Sequence, residues 1–348
     1  MQKIINGIQQ IGIGVTDANA VFNWYRVHLG FDIMVFNDVA TANLMTRYTA
    51  GTPEQRQAIL ALNMTGGGGL EIWQFRNRKP QPPQNLVQFG DLGINAIKIR
   101  SAKIEQIHKA LQNSTVTELS EILEGNHFYF KDPWDNWVQL VNEHYYFANK
   151  DSDSGGVLGV IIGVSDMDAS LYFYDKLLGY DTVSSDFSGV FEEFSNRGGN
   201  IYRRVLLTRS NKRSGGFGEL YGPSQIELIQ ALDRVPDIIF KNRLWGDLGF
   251  IHLCFDVSGL DVLRLEAEKI GHSFTVDSAN SFDMGDAAGR FAYMEDPDGT
   301  LIELVETHKV PVYKKWGVFI DLKKRNPHKP LPKWMVKLMA IHKVNKDL

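Results

Sequence analysis

The chain has 348 residues, 43% of them hydrophobic and 22% charged, with 32 Gly, 12 Pro and a single cysteine, Cys254. That length and balance suit two to three globular domains and exclude fibrous and disordered chains. The formal net charge of −4 is unevenly spread: residues 309–348 hold ten Lys and one Arg against Asp321 and Asp347, a balance of +9 that leaves −13 on the remainder.

One cysteine excludes intramolecular disulfides, cysteine-based zinc clusters and CxxC redox chemistry. No run approaches the ~18 consecutive apolar residues of a membrane-spanning helix, and MQKIINGIQQ lacks the pattern of a secretory signal. A cytoplasmic setting is expected.

The chain repeats itself. GVTDANAVFNWYRVHLGFD from Gly14 matches GVSDMDASLYFYDKLLGYD from Gly163. GDLGI at Gly90 matches GDLGF at Gly246, and DPWDNWVQLVNE at Asp132 matches DPDGTLIELVET at Asp296. The offsets of 149, 156 and 164 keep one order and drift by loop insertions. Residues 1–148 and 157–308 therefore form a duplicated pair, joined by a polar linker at 149–156 and followed by a basic tail at 309–348.

Each half divides again. Ile8–Val15 alternates with period two and predicts a strand. A helix follows, with Asp17 as N-cap, a stripe of Val21, Trp24, Tyr25 and His28, and Gly30 as its stop. Strands are expected near Phe31–Asn37, Arg56–Asn63 and Leu70–Phe75. The second module repeats this over Ile94–Asn142, the third begins at Val157–Val164 and ends at Gln225–Gln230, and the fourth runs from Phe250 to Glu306. The fold class is α+β: four βαβββ modules with mixed sheets curving around an interior. Three segments interrupt the repeat: Ala40–Gln55, Phe187–Asn200 and the Gly-rich Thr208–Gly222, which suits a cover over a pocket. TGGGG at Thr65–Gly69 precedes a strand rather than opening a helix, so a flexible turn is expected and not a phosphate cradle.

These signatures resemble the vicinal oxygen chelate superfamily, which includes glyoxalase I, methylmalonyl-CoA epimerase, extradiol dioxygenases and bleomycin-resistance proteins. The resemblance covers roughly residues 5–307 and implies two tandem domains, each a pair of modules. It also implies metal ligands midway along the first and last strand of each module. Those positions are Gln10 and Glu71, Ala96 and Gln139, Gly159 and Glu227, and His252 and Glu303. Independently of the family, Glu71, Glu227 and Glu303 each sit in an apolar strand. A buried carboxylate there needs a cation, a proton or a metal. His252 in FIHLCFDV has a core histidine as its ordinary alternative.

Module pairing decides the site. Contiguous pairing gives His252, Glu303 and Glu227 as ligands; swapped pairing of the first and fourth modules gives Gln10, Glu71, His252 and Glu303. The equivalence of the halves favours the contiguous arrangement. The resemblance then implies one divalent ion (Zn, Ni, Co or Mn) and a glyoxalase- or epimerase-type lyase or isomerase. Such an enzyme would stabilise an enediolate on a small substrate with two vicinal oxygens, with Glu303 or Glu71 moving the proton. Trp73, Phe75, Tyr293 and Cys254 are candidate substrate contacts. The alternative is a metal-free binding protein of the bleomycin-resistance kind. A ring-cleavage dioxygenase is disfavoured because Gly159 stands where a second His would be needed.

A small molecule is thus the expected partner. A homodimer is compatible with the sequence, and neither nucleic acid nor stable membrane association is expected. The tail predicts a short amphipathic helix over Leu331–His342 with Trp334, Leu338 and Ile341 as its apolar stripe, docked on the acidic body, with a basic KKR at Lys323–Arg325 before it.

Overall fold

The computed structural model describes residues 2–111, 116–121, 125–148, 152–197, 201–210, 215–279, 282–284, 287–313 and 318–348. The first module comprises β1 (Ile4–Gly14), α1 (Ala18–Leu29), β2 (Ile33–Thr41), β3 (Gln55–Leu62) and β4 (Gly69–Phe75). The second has β5 (Gly93–Ser101), α2 (Ile104–Ala110), β6 (His127–Lys131) and β7 (Trp137–Asn142). The third has β8 (Val157–Gly163), α3 (Met167–Leu178), β9 (Thr182–Val190), β10 (Ile201–Thr208), α4 (Gly218–Tyr221) and β11 (Gln225–Ala231). The fourth has β12 (Gly249–Ser258), α5 (Leu260–Lys269), β13 (Val276–Asp277), β14 (Phe282–Met284), β15 (Ala287–Glu295) and β16 (Leu301–Tyr313). Strand β17 (Val318–Asp321) and helix α6 (Lys333–Lys337) belong to the tail.

Helices α1 and α3 form for the same local reasons. Asp17 and Asp166 accept hydrogen bonds from the first free backbone amides, and Gly30 and Gly179 close the helices in the left-handed region at φ 67 and 69. The buried face of α1 is Ala18, Val21, Phe22, Tyr25 and Leu29. It is turned from the predicted stripe, and His28 is exposed.

The modules do not pair contiguously. In the first sheet the order is β2-β3-β4-β1-β12-β16-β15-β13, and in the second it is β6-β7-β5-β8-β11-β10-β9. First strands meet first strands antiparallel, β1 with β12 and β5 with β8. The first module therefore pairs with the fourth and the second with the third, which corrects the contiguous expectation. Within each module the first and last strands run parallel, as β1 with β4 shows.

The two modules of each sequence half are tied together on the other side of the sheets. Tyr25 Oη donates to Asp132 Oδ2 and Tyr174 Oη to Asp296 Oδ2, each at 2.9 Å. The aspartates of the two repeated DP turns thus anchor the helix of the other module in the same half. Around them lies one continuous core drawn from both sheets and the helices, including Ile11, Phe22, Ile97, Val160, Phe173 and Leu253. Burial of this apolar surface is the principal stabilising term.

The two GDLG motifs are matching clasps. Buried Asp247 accepts from Arg78 at 2.8–2.9 Å and from the amides of Gln81 and Leu244. Asp91 accepts from Arg234 at 2.6 Å and from the amides of Gln88 and Asp237. TGGGG is a turn, as expected, but a buried one that joins the sheets: Gly68 and Val157 exchange backbone hydrogen bonds at 2.9 and 2.8 Å.

Each curled sheet encloses a hollow on its inner face. The insertions fold into these hollows. Met45 and the 3-10 turn Thr46–Tyr48 cover the first, where Tyr48 Oη lies 2.6 Å from both Thr275 Oγ1 and Glu295 Oε1. The 3-10 helix Glu192–Arg197, with Phe191 ahead of it, fills the second.

Candidate functional site

The first hollow gathers Gln10 from β1, Glu71 from β4, His252 from β12 and Glu303 from β16. His252 Nε2 lies 3.1 Å from Glu303 Oε2 and 3.3 Å from Glu71 Oε2. Gln10 Nε2 lies 3.5 Å from an oxygen of each carboxylate. The side chains of Glu71 and Glu303 remain 13% and 10% exposed, while His252 is fully buried. One ligand atom from each of Glu71, His252 and Glu303 falls within 4.8 Å of the others.

Local rules place these groups. Gln10, Glu71, His252 and Glu303 stand on the sheet face opposite the main core because side chains alternate along a strand. A bulge at Gln9, between the Ile8–Phe255 and Gln10–Cys254 pairs, brings Gln10 onto that face. Gly12 is the cross-strand partner of His252 and the parallel partner of Glu71. A Cβ on Gly12 would lie 2.3 Å from the imidazole Cε1, so the ring rests on bare backbone. The indole of Trp245 stacks near the imidazole at 21° and 6.4 Å, and Tyr293 meets it edge-on at 5.6 Å.

The electrostatics fit a cation at the centre. Burial lowers the His252 pKa, but Glu303 and Glu71 overrule it and raise the imidazole to about 9. His252 in turn holds the Glu303 carboxyl below its ordinary value against the effect of burial. The Gln10 amide nitrogen reaches both carboxylates, whereas its buried oxygen and both imidazole nitrogens have no aligned partner. The formal charge of −2 on the quartet with neutral His matches a divalent ion.

The other sequence-predicted residues fall into place around this set. Trp73 and Phe75 are buried in an edge-to-face pair, and Trp73 meets Trp245 at 4.5 Å. Tyr293 and Cys254 are buried cross-strand neighbours of Glu303. Burial first, and then the Glu303 carboxylate, push the Cys254 thiol pKa well up, so it is no ready nucleophile.

Glu227 is elsewhere, which corrects the contiguous ligand set. It lies in the second hollow with Gln139, and Ala96 and Gly159 supply no side-chain donor there. Lys98 Nζ donates to Glu227 at 2.7 Å, and Arg204 donates through Nε at 2.8 Å and Nη2 at 2.6 Å. Burial would raise the Glu227 pKa; Arg204 and Lys98 outweigh it and bring it to about 2. Arg204 also pairs with Glu193, which bonds His127 Nε2 at 2.8 Å, and the guanidinium sits over Phe191 and Phe194 at 4.6 and 4.7 Å. Lys98 occupies the register position that Cys254 holds in the first hollow, next to Gln139 as Cys254 is next to Glu303.

Sequence reasoning missed Gly12, Trp245, Lys98 and Arg204. Lys98 and Arg204 carried the signal that marked the glutamates, a charge within an apolar strand. Gly12 and Trp245 act only through their approach to His252, which strand pattern does not reveal.

Comparison with known proteins agrees with this architecture. Residues 7–140 match the family model described as Glyoxalase/Bleomycin resistance protein/Dioxygenase superfamily. Glyoxalase I from Zea mays superposes with a TM-score of 0.55 at 12% identity, covering 88% of this chain and 92% of that one. A dioxygenase candidate from Bacillus subtilis gives 0.53 at 14% identity, covering 88% and 86%. At such identities the likeness is one of fold. No curated protein sequence matches the chain. The family match thus covers residues 7–140, and the paired-module sheets continue the same architecture through the rest of the described chain.

Proposed function

We infer that the first hollow holds one divalent metal ion on Gln10, Glu71, His252 and Glu303, and that the protein is a lyase or isomerase of glyoxalase or epimerase type. The observation that carries this reading is the unsatisfied convergence: a buried His252 between two carboxylates with neither nitrogen hydrogen-bonded, beside an orphaned Gln10 Oε1. A divalent ion bound there supplies Lewis acidity toward two adjacent oxygens of a small substrate.

The chain's own groups have distinct tasks. Gln10 contributes a neutral oxygen, and His252 is fixed in orientation by Gly12, Trp245 and Tyr293. Glu71 and Glu303 are the two groups able to take a proton from a carbon next to a carbonyl and return it. Trp73, Phe75 and Trp245 provide an apolar wall that keeps water from the reacting centre. Ring cleavage is disfavoured for a reason that swapped pairing changes. The quartet has one imidazole, and the first-strand position that joins it in the same hollow is Gln10, not Gly159.

A metal-free binding protein is the second reading. It is favoured by the aromatic lining and by the option of a protonated His252 bridging both carboxylates. Elemental analysis of chelator-free protein separates the two. About one ion per chain in the wild type and none in folded His252→Ala supports the enzyme reading; metal content that His252→Ala leaves unchanged sinks it.

A further inference from the structure

The tail docks by a different face from the one its sequence suggests. Leu331 and Val336 are 4% and 3% exposed and pack with Ile33, Leu62, Met64, Phe147, Leu220 and Tyr221. Leu331 N donates to Gly216 O at 2.9 Å, Val344 N to Asp32 O at 2.9 Å, and Lys343 pairs with Asp32 at 2.9 Å. Arg26 pairs with Asp347 near the chain end. The tail is thus fixed from Leu331 to Asp347, with one side against the body.

The opposite side carries the expected stripe. Trp334, Leu338 and Ile341 are 62%, 39% and 77% exposed. Helix α6 runs directly into a 3-10 turn over Leu338–His342, so Leu338 and Ile341 eclipse on one line with Trp334 behind them. Lys329, Lys337 and Lys346 on the same segment are exposed, while Lys333 reaches back over the Phe147 ring at 5.1 Å.

We propose that this outward face of residues 329–346 is a docking surface for an anionic lipid membrane. Protein interfaces are depleted of Lys at their centres, whereas here exposed Lys337 stands between Trp334 and Leu338 in the chain. Headgroups accept both: Trp, Leu and Ile enter the acyl boundary while the ammonium groups stay at the phosphates. The charge distribution favours the same orientation, because the +9 of residues 309–348 lies on one segment of a chain whose remainder is −13. Beyond a Debye length of about 8–10 Å the body's repulsion is screened, so the tail decides the contact. No described helix is long and apolar enough to cross a membrane.

The test is co-sedimentation of the full-length protein with vesicles of phosphatidylcholine alone, and of phosphatidylcholine and phosphatidylserine in equal parts, at about 0.15 M ionic strength. Binding to the mixed vesicles only is expected. It should fall at least about tenfold in the Trp334→Ser, Leu338→Ser, Ile341→Ser variant. Thermal unfolding of that variant should change little, because Trp334 and Ile341 are largely exposed and Leu338 is not part of the apolar cluster under the tail. If that variant fails to fold, Lys329→Glu, Lys337→Glu provides the same test through charge. Absence of binding, equal binding to neutral vesicles, or binding that neither variant weakens overturns the proposal. So does a dimer that the variant dissociates while vesicles bind nothing, since the occupant would then be a second copy of the chain.

Discussion

The two hollows are built from equivalent strands and carry opposite chemistry. In the first, two carboxylates face one imidazole and the Gln10 amide nitrogen, and the amide oxygen and both ring nitrogens are left without an aligned partner. In the second, Lys98 and Arg204 neutralise Glu227 in direct hydrogen bonds, and the Glu192–Arg197 insertion seals it with Phe191, Glu193 and Phe194. The same buried glutamate position is therefore an unmet demand for a cation in one sheet and a completed ion pair in the other. Cations donated from β5 and β10 satisfy the glutamate of the second hollow from within the chain itself.

That contrast breaks most sharply on metal content. His252→Ala should remove stoichiometric metal, while Glu227→Gln should leave about one ion per chain, as measured by elemental analysis of both purified variants. Loss of metal from both would mean that the hollows are not functionally distinct.

Stability should respond in the reverse sense. Glu227→Ala strands Lys98 and Arg204 as buried charges and should cost roughly 3–5 kcal/mol in denaturant unfolding. Glu71→Gln should cost far less, because it relieves the repulsion between two nearby carboxylates. Equal losses would erase the distinction.

Acid should act through the second hollow. The folded pKa of Glu227 is depressed to about 2, below its unfolded value near 4.5. Its contribution is present above the unfolded value and is lost as pH falls from about 4.5 toward 2. The unfolding midpoint of wild type should drop over that window, and Glu227→Gln should show a shallower drop. Identical profiles would remove Glu227 from the acid response.

Gly12→Ala sharpens the first hollow. A methyl group 2.3 Å from the imidazole must displace His252. Metal affinity should fall by roughly 10–100-fold, the usual range for groups that orient a ligand, with a smaller effect on folding. Unchanged affinity in a competition titration would show that the ring has freedom the packing denies. In the tail, deleting residues 330–348 removes the burial of Leu331 and Val336 and should lower the melting temperature by several degrees. An unaltered melting curve would show that the docked side contributes nothing.

Much of this molecule was legible from its residues. Period-two strands, the Asp17 cap and Gly30 stop of α1 and the repeated module follow from patterns local to one module, whereas the positions of Gln10, Glu71, His252 and Glu303 were implied by the family resemblance. Local chemistry enforces the local patterns: alternation selects a sheet face, a capping aspartate meets free amides, and a left-handed turn admits glycine without strain. Tertiary structure alone decided which modules share a sheet, because each offers the same open first strand and β1 could meet β8 or β12 with similar local patterning. It also decided that Glu227 would find Lys98 from the second module and Arg204 from its own, that Gly12 would carry the imidazole, and that the tail would bury Leu331 and Val336 instead of Trp334. Each outcome depends on groups distant in sequence meeting in space, where the burial of charge and of apolar area is settled jointly and not residue by residue.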